Sequence, residues 1–551
     1  MPLNELPEDV LIRIFQNLCF HCQNPGRFVN ADTPSTIQDK KTLAFLCRTS
    51  KALSYVSQPI LYHYYATGNL EKERRRWPAS MSIHGPPWEH DFFPEFIRTI
   101  LLRPDLAAFV KSLQVVQDRS LWYGQDPGER REKRYAHHVD VMRLVIDVAN
   151  KRDLLPWNVE RYGRERWLGM RDEQLDHRDL LRIGLQCMPR VHTLLWAQSF
   201  GGDFNSPQYG PNHEKLPPII SFPSLKTVGL IRASNDYGLK EVNELFWAAP
   251  NLEALYACDA GNWSTEWPEL NSEPGHGYID VEMIGLFRFR KLVVDSLSTT
   301  AFENFIWDLT DSINDWEEER DGKFARLEDL EYYWEHWNDF GFNLDWVLSL
   351  LKDSLKRISL AYLPYSLYRG HYDEDIEDEE KFANRVEAPW SPPRSDYDPI
   401  SSLATFPLLV DISLDCRSIY RPNDADAHSR LISFLPRSVA RFRISYTFRS
   451  VANGLEQLGI QAPEALPNLQ QVIVGIPDRI HEQYAHDVET MKALGIKSLF
   501  EQGGVRFAWA VDELGADSRT IVPGATVGPR LVPVPGLEER TIDSLLSLPR
   551  Y

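Results

Sequence analysis

Leu6, Val10, Leu11, Ile14, Phe15 and Leu18 recur at helical spacing, with Glu8, Asp9, Arg13 and Gln16 set off that line. The pattern predicts an amphipathic helix with one apolar stripe. Pro7 suits its first position, where no N–H is needed, and Glu8 and Asp9 complement the positive end of the helix dipole. A second helix is expected over Leu43–Leu53, and a third opens at Gln58. Beyond residue 100 the period changes. The pattern apolar-x-x-apolar-x-apolar appears at Val110-Leu113-Val115, Val191-Leu194-Trp196, Leu225-Val228-Leu230 and Phe289-Leu292-Val294. It returns at Leu327-Leu330-Tyr332, Leu355-Ile358-Leu360, Leu409-Ile412-Leu414, Val439-Phe442-Ile444 and Leu469-Val472-Val474, with weaker copies at Leu252-Leu255 and Val505-Phe507-Trp509. The last three positions alternate, as a half-buried strand does, so each copy predicts one short strand.

A proline stands two residues before many copies, at 189, 223, 250, 407 and 467, and Pro436 stands one place further off. Helical patterns precede several of these prolines: Leu180-Leu181-Ile183-Gly184-Leu185, Val242-Leu245-Phe246-Trp247 and Leu431-Ile432-Phe434-Leu435. Proline ends a helix and pushes its predecessor toward extended geometry, so the unit reads as helix, stop, strand. Copies start 34 residues apart from Val191 to Leu225, then 27 to Leu252; later gaps are 28 from Leu327 to Leu355 and 30 from Val439 to Leu469. The spacing fits a solenoid of helix-containing repeats. It resembles the degenerate leucine-rich arrays that follow many fungal F-box domains, although the Asn or Cys which that consensus places after the strand is missing. A doubly wound α/β domain is the alternative, because it too alternates helix and strand.

The N-terminal residues carry a second resemblance. Leu6-Pro7, the acidic pair Glu8-Asp9, Val10-Leu11-x-x-Ile14-Phe15-x-x-Leu18, then Leu43-x-x-x-Cys47-Arg48-x-Ser50-x-x-Leu53 and Pro59-x-Leu61-Tyr62 are similar to the F-box. The match covers residues 5 to about 65. About twenty extra residues, Cys19 to Gln38, separate the first two helices where the family has a short turn, and they read as a surface loop. The resemblance implies docking to the Skp adaptor of a Skp–cullin–F-box ubiquitin ligase, and through it to a cullin. By similarity the contact falls to Leu6, Pro7, Val10, Leu11, Ile14, Phe15 and Leu18. Leu46, Leu53, Pro59 and Leu61 would join it or hold the helices together.

Composition narrows the partners. With 60 basic against 79 acidic residues the net charge is −19, which argues against a general nucleic-acid binder. Six scattered cysteines do not make a disulfide scaffold and point to a reducing compartment, cytoplasmic and/or nuclear. Neither a signal peptide nor a membrane span is expected. The mixed run Glu71-Lys72-Glu73-Arg74-Arg75-Arg76-Trp77-Pro78 reads as a linker rather than an import signal. Residues Asp373–Glu380 with Pro389-Trp390-Ser391-Pro392-Pro393 read as a disordered acidic insertion, Gly201–Pro218 and Cys258–Gly277 as long loops.

Catalytic motifs are scarce. His481 and His486 are five residues apart, so on a helix their rings would diverge by roughly 140° and could not share a zinc. Cys19 and Cys22 have a zinc-like gap, but no second Cys/His pair follows at finger spacing. Cys47 is at best a third ligand, and a buried thiol beside a solvated one is the simpler reading. No nucleophile elbow, phosphate loop or dinucleotide fingerprint occurs. The expectation is therefore an α/β protein with an F-box-like domain over 1–68, a linker over 69–90, a leucine-rich-repeat-like array over 91–522 with the acidic insertion near 370–400, and a proline-rich tail over 523–551. It would be a non-catalytic substrate receptor with an unknown protein substrate, needing no cofactor or metal. An interaction scaffold outside any ligase and an α/β enzyme with a motif-free pocket are the competing classes.

Overall fold

Each of the eleven apolar repeats ends on a strand, and within each compact unit those strands pair in the order in which the chain makes them. The computed structural model describes residues 6–23, 28, 34–66, 92–116, 129–154, 177–197, 222–231, 249, 251–258, 290–295, 327–334, 344–362, 399–420, 427–445, 449–477, 493–513 and 530–533. The architecture is mixed α/β and divides into two units, Met1–Tyr256 and, in the main, the residues that follow. The expected linker, the acidic insertion up to residue 398, the Gly201–Pro218 loop, the helical pattern Val242–Trp247 and the His481–His486 segment lie outside the described residues.

The first unit opens with α1 (Glu8–Gln16), α2 (Phe20–Gln23), α3 (Pro34–Thr49) and α4 (Lys51–Leu61). Strands β1 (Tyr64–Ala66), β2 (Ser112–Val116), β3 (Thr193–Ala197), β4 (Thr227–Ile231) and β5 (Ala254–Cys258) follow, with α5 (Phe93–Leu102), α6 (Pro104–Ala107), α7 (Glu129–Lys151) and α8 (His177–Cys187) between them. Parallel pairing holds Tyr64 beside Ser112, Ser112 beside Thr193 and Thr193 beside Thr227. The register brings Leu113, Leu194 and Val228 into one buried apolar row.

The second unit contains β6 (Lys291–Asp295), β7 (Asp329–Trp334), α9 (Leu344–Leu350), β8 (Arg357–Tyr362) and β9 (Asp411–Asp415). It continues with α10 (Ala427–Phe434), β10 (Arg441–Ser445), α11 (Arg449–Ala465), β11 (Gln471–Pro477), α12 (Ile496–Gln502) and β12 (Arg506–Glu513). Its register aligns Leu292, Leu330, Ile358, Ile412, Phe442, Val472 and Phe507, all buried. A final strand, β13 (Arg530–Pro533), pairs antiparallel with β12, so this part of the proline-rich tail is ordered as an edge strand. Among the described strands the order never reverses within either unit, as it would at the switch point of a doubly wound sheet.

The prolines act through turns. Val191, Leu225, Leu252 and Leu469 donate their N–H to the carbonyls of Met188, Phe222, Ala249 and Leu466. Pro189, Pro223 and Pro467 therefore sit at the second position of a four-residue turn, where their fixed φ is already correct. A polar rung joins one turn to the turn before it. Ser224 Oγ donates to Pro189 O (2.6 Å), Asn251 Nδ2 to Pro223 O (2.8 Å), Ser438 Oγ to Leu409 O (2.8 Å) and Asn468 Nδ2 to Arg437 O (3.1 Å). The bonding role expected of a residue after the strand is taken here by Ser or Asn just before it.

Candidate functional site

The apolar stripe on α1 divides into two. Leu11 and Phe15 are buried in a core with Cys19, Leu43, Leu53, Val56, Ile60 and Tyr64, and Leu6, Leu18, Leu46 and Leu61 pack against it. Pro7 is exposed, as are Val10 (36%) and Ile14 (39%), and these positions at i, i+3 and i+7 lie along one side of the helix. Pro59 is half-buried inside α4. Further exposed aromatics are Phe45 on α3 and Tyr55 on α4. Pro7 stands one place earlier than expected, capping α1 with its carbonyl, which accepts from Val10 N (3.1 Å) and Leu11 N (3.0 Å). The helix expected over 43–53 is broken at Ser50, whose extended backbone and Oγ, accepting from Leu53 N at 3.2 Å, start α4.

Parts of the segment expected to be a surface loop pack inward. Cys19, His21, Phe28 and Thr36 are buried, and α3 begins at Pro34 rather than near 43. Phe28 lies on β4: a Cβ built on Gly229 would meet Phe28 Cζ at 2.6 Å and Leu195 Cδ1 at 2.7 Å. Only glycine leaves room for that ring, which also meets Tyr256 edge-on at 5.6 Å.

The same segment brings together, with His63, a cluster that spacing did not disclose. One donor atom each from Cys19, His21, Cys22 and His63 lies within 4.8 Å of the others. His63 Nδ1 stands 3.2 Å from Cys22 Sγ and 3.9 Å from Cys19 Sγ. The fold fixes His63: it is the last residue before β1, and its carbonyl accepts from Lys111 N (2.8 Å) and Ser112 N (3.1 Å). His192 holds the equivalent place before β3, with its Nε2 3.2 Å from His21 Nε2 and its Nδ1 3.0 Å from Thr193 Oγ1. Cys47 is not in the cluster; its Sγ lies 3.1 Å from Ser57 Oγ.

Electrostatics separate the two thiols. A hydrogen bond from Cys19 holds the Cys22 thiol well below its ordinary value, with the nearby rings of His21 and His63 adding to it, while that bond and burial push Cys19 upward. Burial lowers His192 to about 4 and Lys40 to about 8. Lys40 Nζ donates to Tyr64 O at 3.2 Å and lies over the Tyr64 ring. Cys22 is thus not the solvated loop thiol that the sequence implied, because His63, 41 residues away, supplies its partner. No protein-family model matches this chain, and no curated protein matches it. Among the described residues no helix is long and apolar enough to cross a membrane.

Proposed function

We propose that the chain is the substrate-recognition subunit of a Skp–cullin–F-box ubiquitin ligase. On this reading α1 to α4 form the F-box that docks a Skp-type adaptor. The strands and helices beyond them form an irregular leucine-rich-repeat solenoid that holds a protein substrate. The observation that carries the reading is the outward stripe of Pro7, Val10 and Ile14 beside an inward stripe of the same helix. Apolar side chains in a row on a short helix gain roughly 25 cal/mol per Å² when a partner covers them. The subunit needs no catalytic residue of its own, since holding substrate lysines near a charged conjugating enzyme raises their effective concentration.

The alternative, an interaction scaffold outside any ligase, is favoured by one observation: Leu11, Phe15 and Leu53 are already covered by the chain's own core. Affinity purification of the tagged chain from cells in which cullin activation is blocked separates the two. Recovery of a Skp-type adaptor and a cullin is expected. A well-expressed chain that recovers neither contradicts the ligase reading and leaves the scaffold.

A further inference from the structure

The geometry points to a structural zinc site in the first unit, with Cys19 Sγ, Cys22 Sγ, His63 Nδ1 and His21 Nδ1 as its four ligands. Zinc held tetrahedrally by sulfur at about 2.3 Å and nitrogen at about 2.0–2.1 Å places neighbouring sulfur and nitrogen atoms about 3.6 Å apart. The separations of His63 Nδ1 from the two sulfurs, 3.2 and 3.9 Å, bracket that value, so shifts of a few tenths of an ångström complete the site. His21 supplies an independent observation. It is 9% exposed, and its Nδ1 has no hydrogen-bond partner among the described residues, a costly state for a buried ring nitrogen.

The neighbouring bonds explain why that nitrogen is free to ligate. With His192 Nδ1–H donating to Thr193 Oγ1, His192 Nε2 is left as an acceptor. His21 Nε2–H then donates to it across 3.2 Å, which leaves the lone pair of His21 on Nδ1. A ligating imidazole usually has its other nitrogen oriented by such an outer partner. Two thiolates and two neutral imidazoles balance the charge of a divalent ion, so the buried site carries no excess charge. Zinc suits this donor set better than calcium or magnesium, which prefer oxygen.

The ion would join residues that the sequence keeps far apart. Cys19, His21 and Cys22 come from α2 and its approach, His63 from the start of β1, and His192 touches the group from the start of β3. Zinc would therefore pin Cys19 and α2, and α1 with them, to the entry edge of the first strands. This inference does not depend on the ligase reading.

The test uses the full chain. Metal analysis after purification in zinc should give one zinc per chain, and cobalt exchanged for it should show visible bands of a tetrahedral site with thiolate-to-metal charge transfer. Cys22→Ser and His63→Ala should abolish stoichiometric binding, whereas Cys47→Ser should retain it. His192→Ala should keep the stoichiometry but weaken affinity about 10- to 100-fold. Zinc should also protect Cys19 and Cys22 of the wild-type chain from alkylation until a chelator is added, a readout that needs no variant to fold. A wild-type chain that takes up no stoichiometric zinc, binds cobalt without thiolate bands, or alkylates equally with and without zinc overturns the assignment.

Discussion

The same repeat position is filled differently in the two units. Across β2, β3 and β4 it is Ser112, Thr193 and Thr227, all uncharged. From β6 to β10 it is Lys291, Asp329, Arg357, Asp411 and Arg441, alternating in sign at every step. Lys291 Nζ lies 3.0 Å from Asp329 and 2.7 Å from Glu331, Arg357 lies 2.9 Å from Asp329, and Arg441 lies 2.7 Å from Asp411. In the first unit Phe28 covers this face at Gly229, and Ser112, Gln114 and Thr193 are buried. A charge there would lose water without gaining a partner. In the second unit each charge meets an opposite one on a neighbouring strand, and the arginines stay about half exposed. Strand position alone thus does not set polarity. The charge on the aligned residue of the neighbouring strand does, since Asp329 and Glu331 are buried as well.

Substitutions can break this contrast. Ser112→Asp places a carboxylate in the covered row, where neither aligned neighbour, Tyr64 or Thr193, carries a charge, and should cost about 3–5 kcal/mol, read as a lowered urea midpoint of the full chain. In the second unit Lys291→Met leaves Glu331 and Asp329, 4% and 7% exposed at their side chains, without their shared cation; Arg357 still reaches Asp329, so about 3 kcal/mol is expected in the same assay. Gly229→Ala pushes a methyl against Phe28 and should cost about 1–3 kcal/mol, with faster hydrogen exchange at β4. Asn468→Ala removes one rung between turns and should cost about 1 kcal/mol, a shift confined to the β10–β11 turns by exchange.

These contrasts also mark where the chain could be read without coordinates. The apolar triplets were legible because alternation depends only on neighbouring residues, and the prolines because their turns are local. The Ser and Asn rungs were present as Pro-Ser-Leu and Pro-Asn-Leu but bond carbonyls about thirty residues back, which no local pattern reveals. Three-residue β1 follows α4 directly, and β13 depends on pairing with β12, so neither announces itself. The α1 helix was legible as amphipathic, yet not how its stripe divides, because Leu11 and Val10 are alike in sequence and differ only in what covers them. Least legible was the Cys19–Gln38 segment. Its polar composition suggested solvent, while His21, Cys22 and Phe28 within it pack against His192, His63 and Gly229, which lie far along the chain.

The outward stripe on α1 is the point on which the functional account stands. Calorimetric titration of the full chain with a purified Skp-type adaptor tests it most directly, comparing the wild type with Val10→Asp and Ile14→Asp, two exposed positions at which a carboxylate leaves the buried core intact. The account predicts stoichiometric binding by the wild type and at least a tenfold loss in each variant, with circular dichroism unchanged. Absence of binding by the folded wild-type chain, or equal affinity in all three proteins, would contradict it.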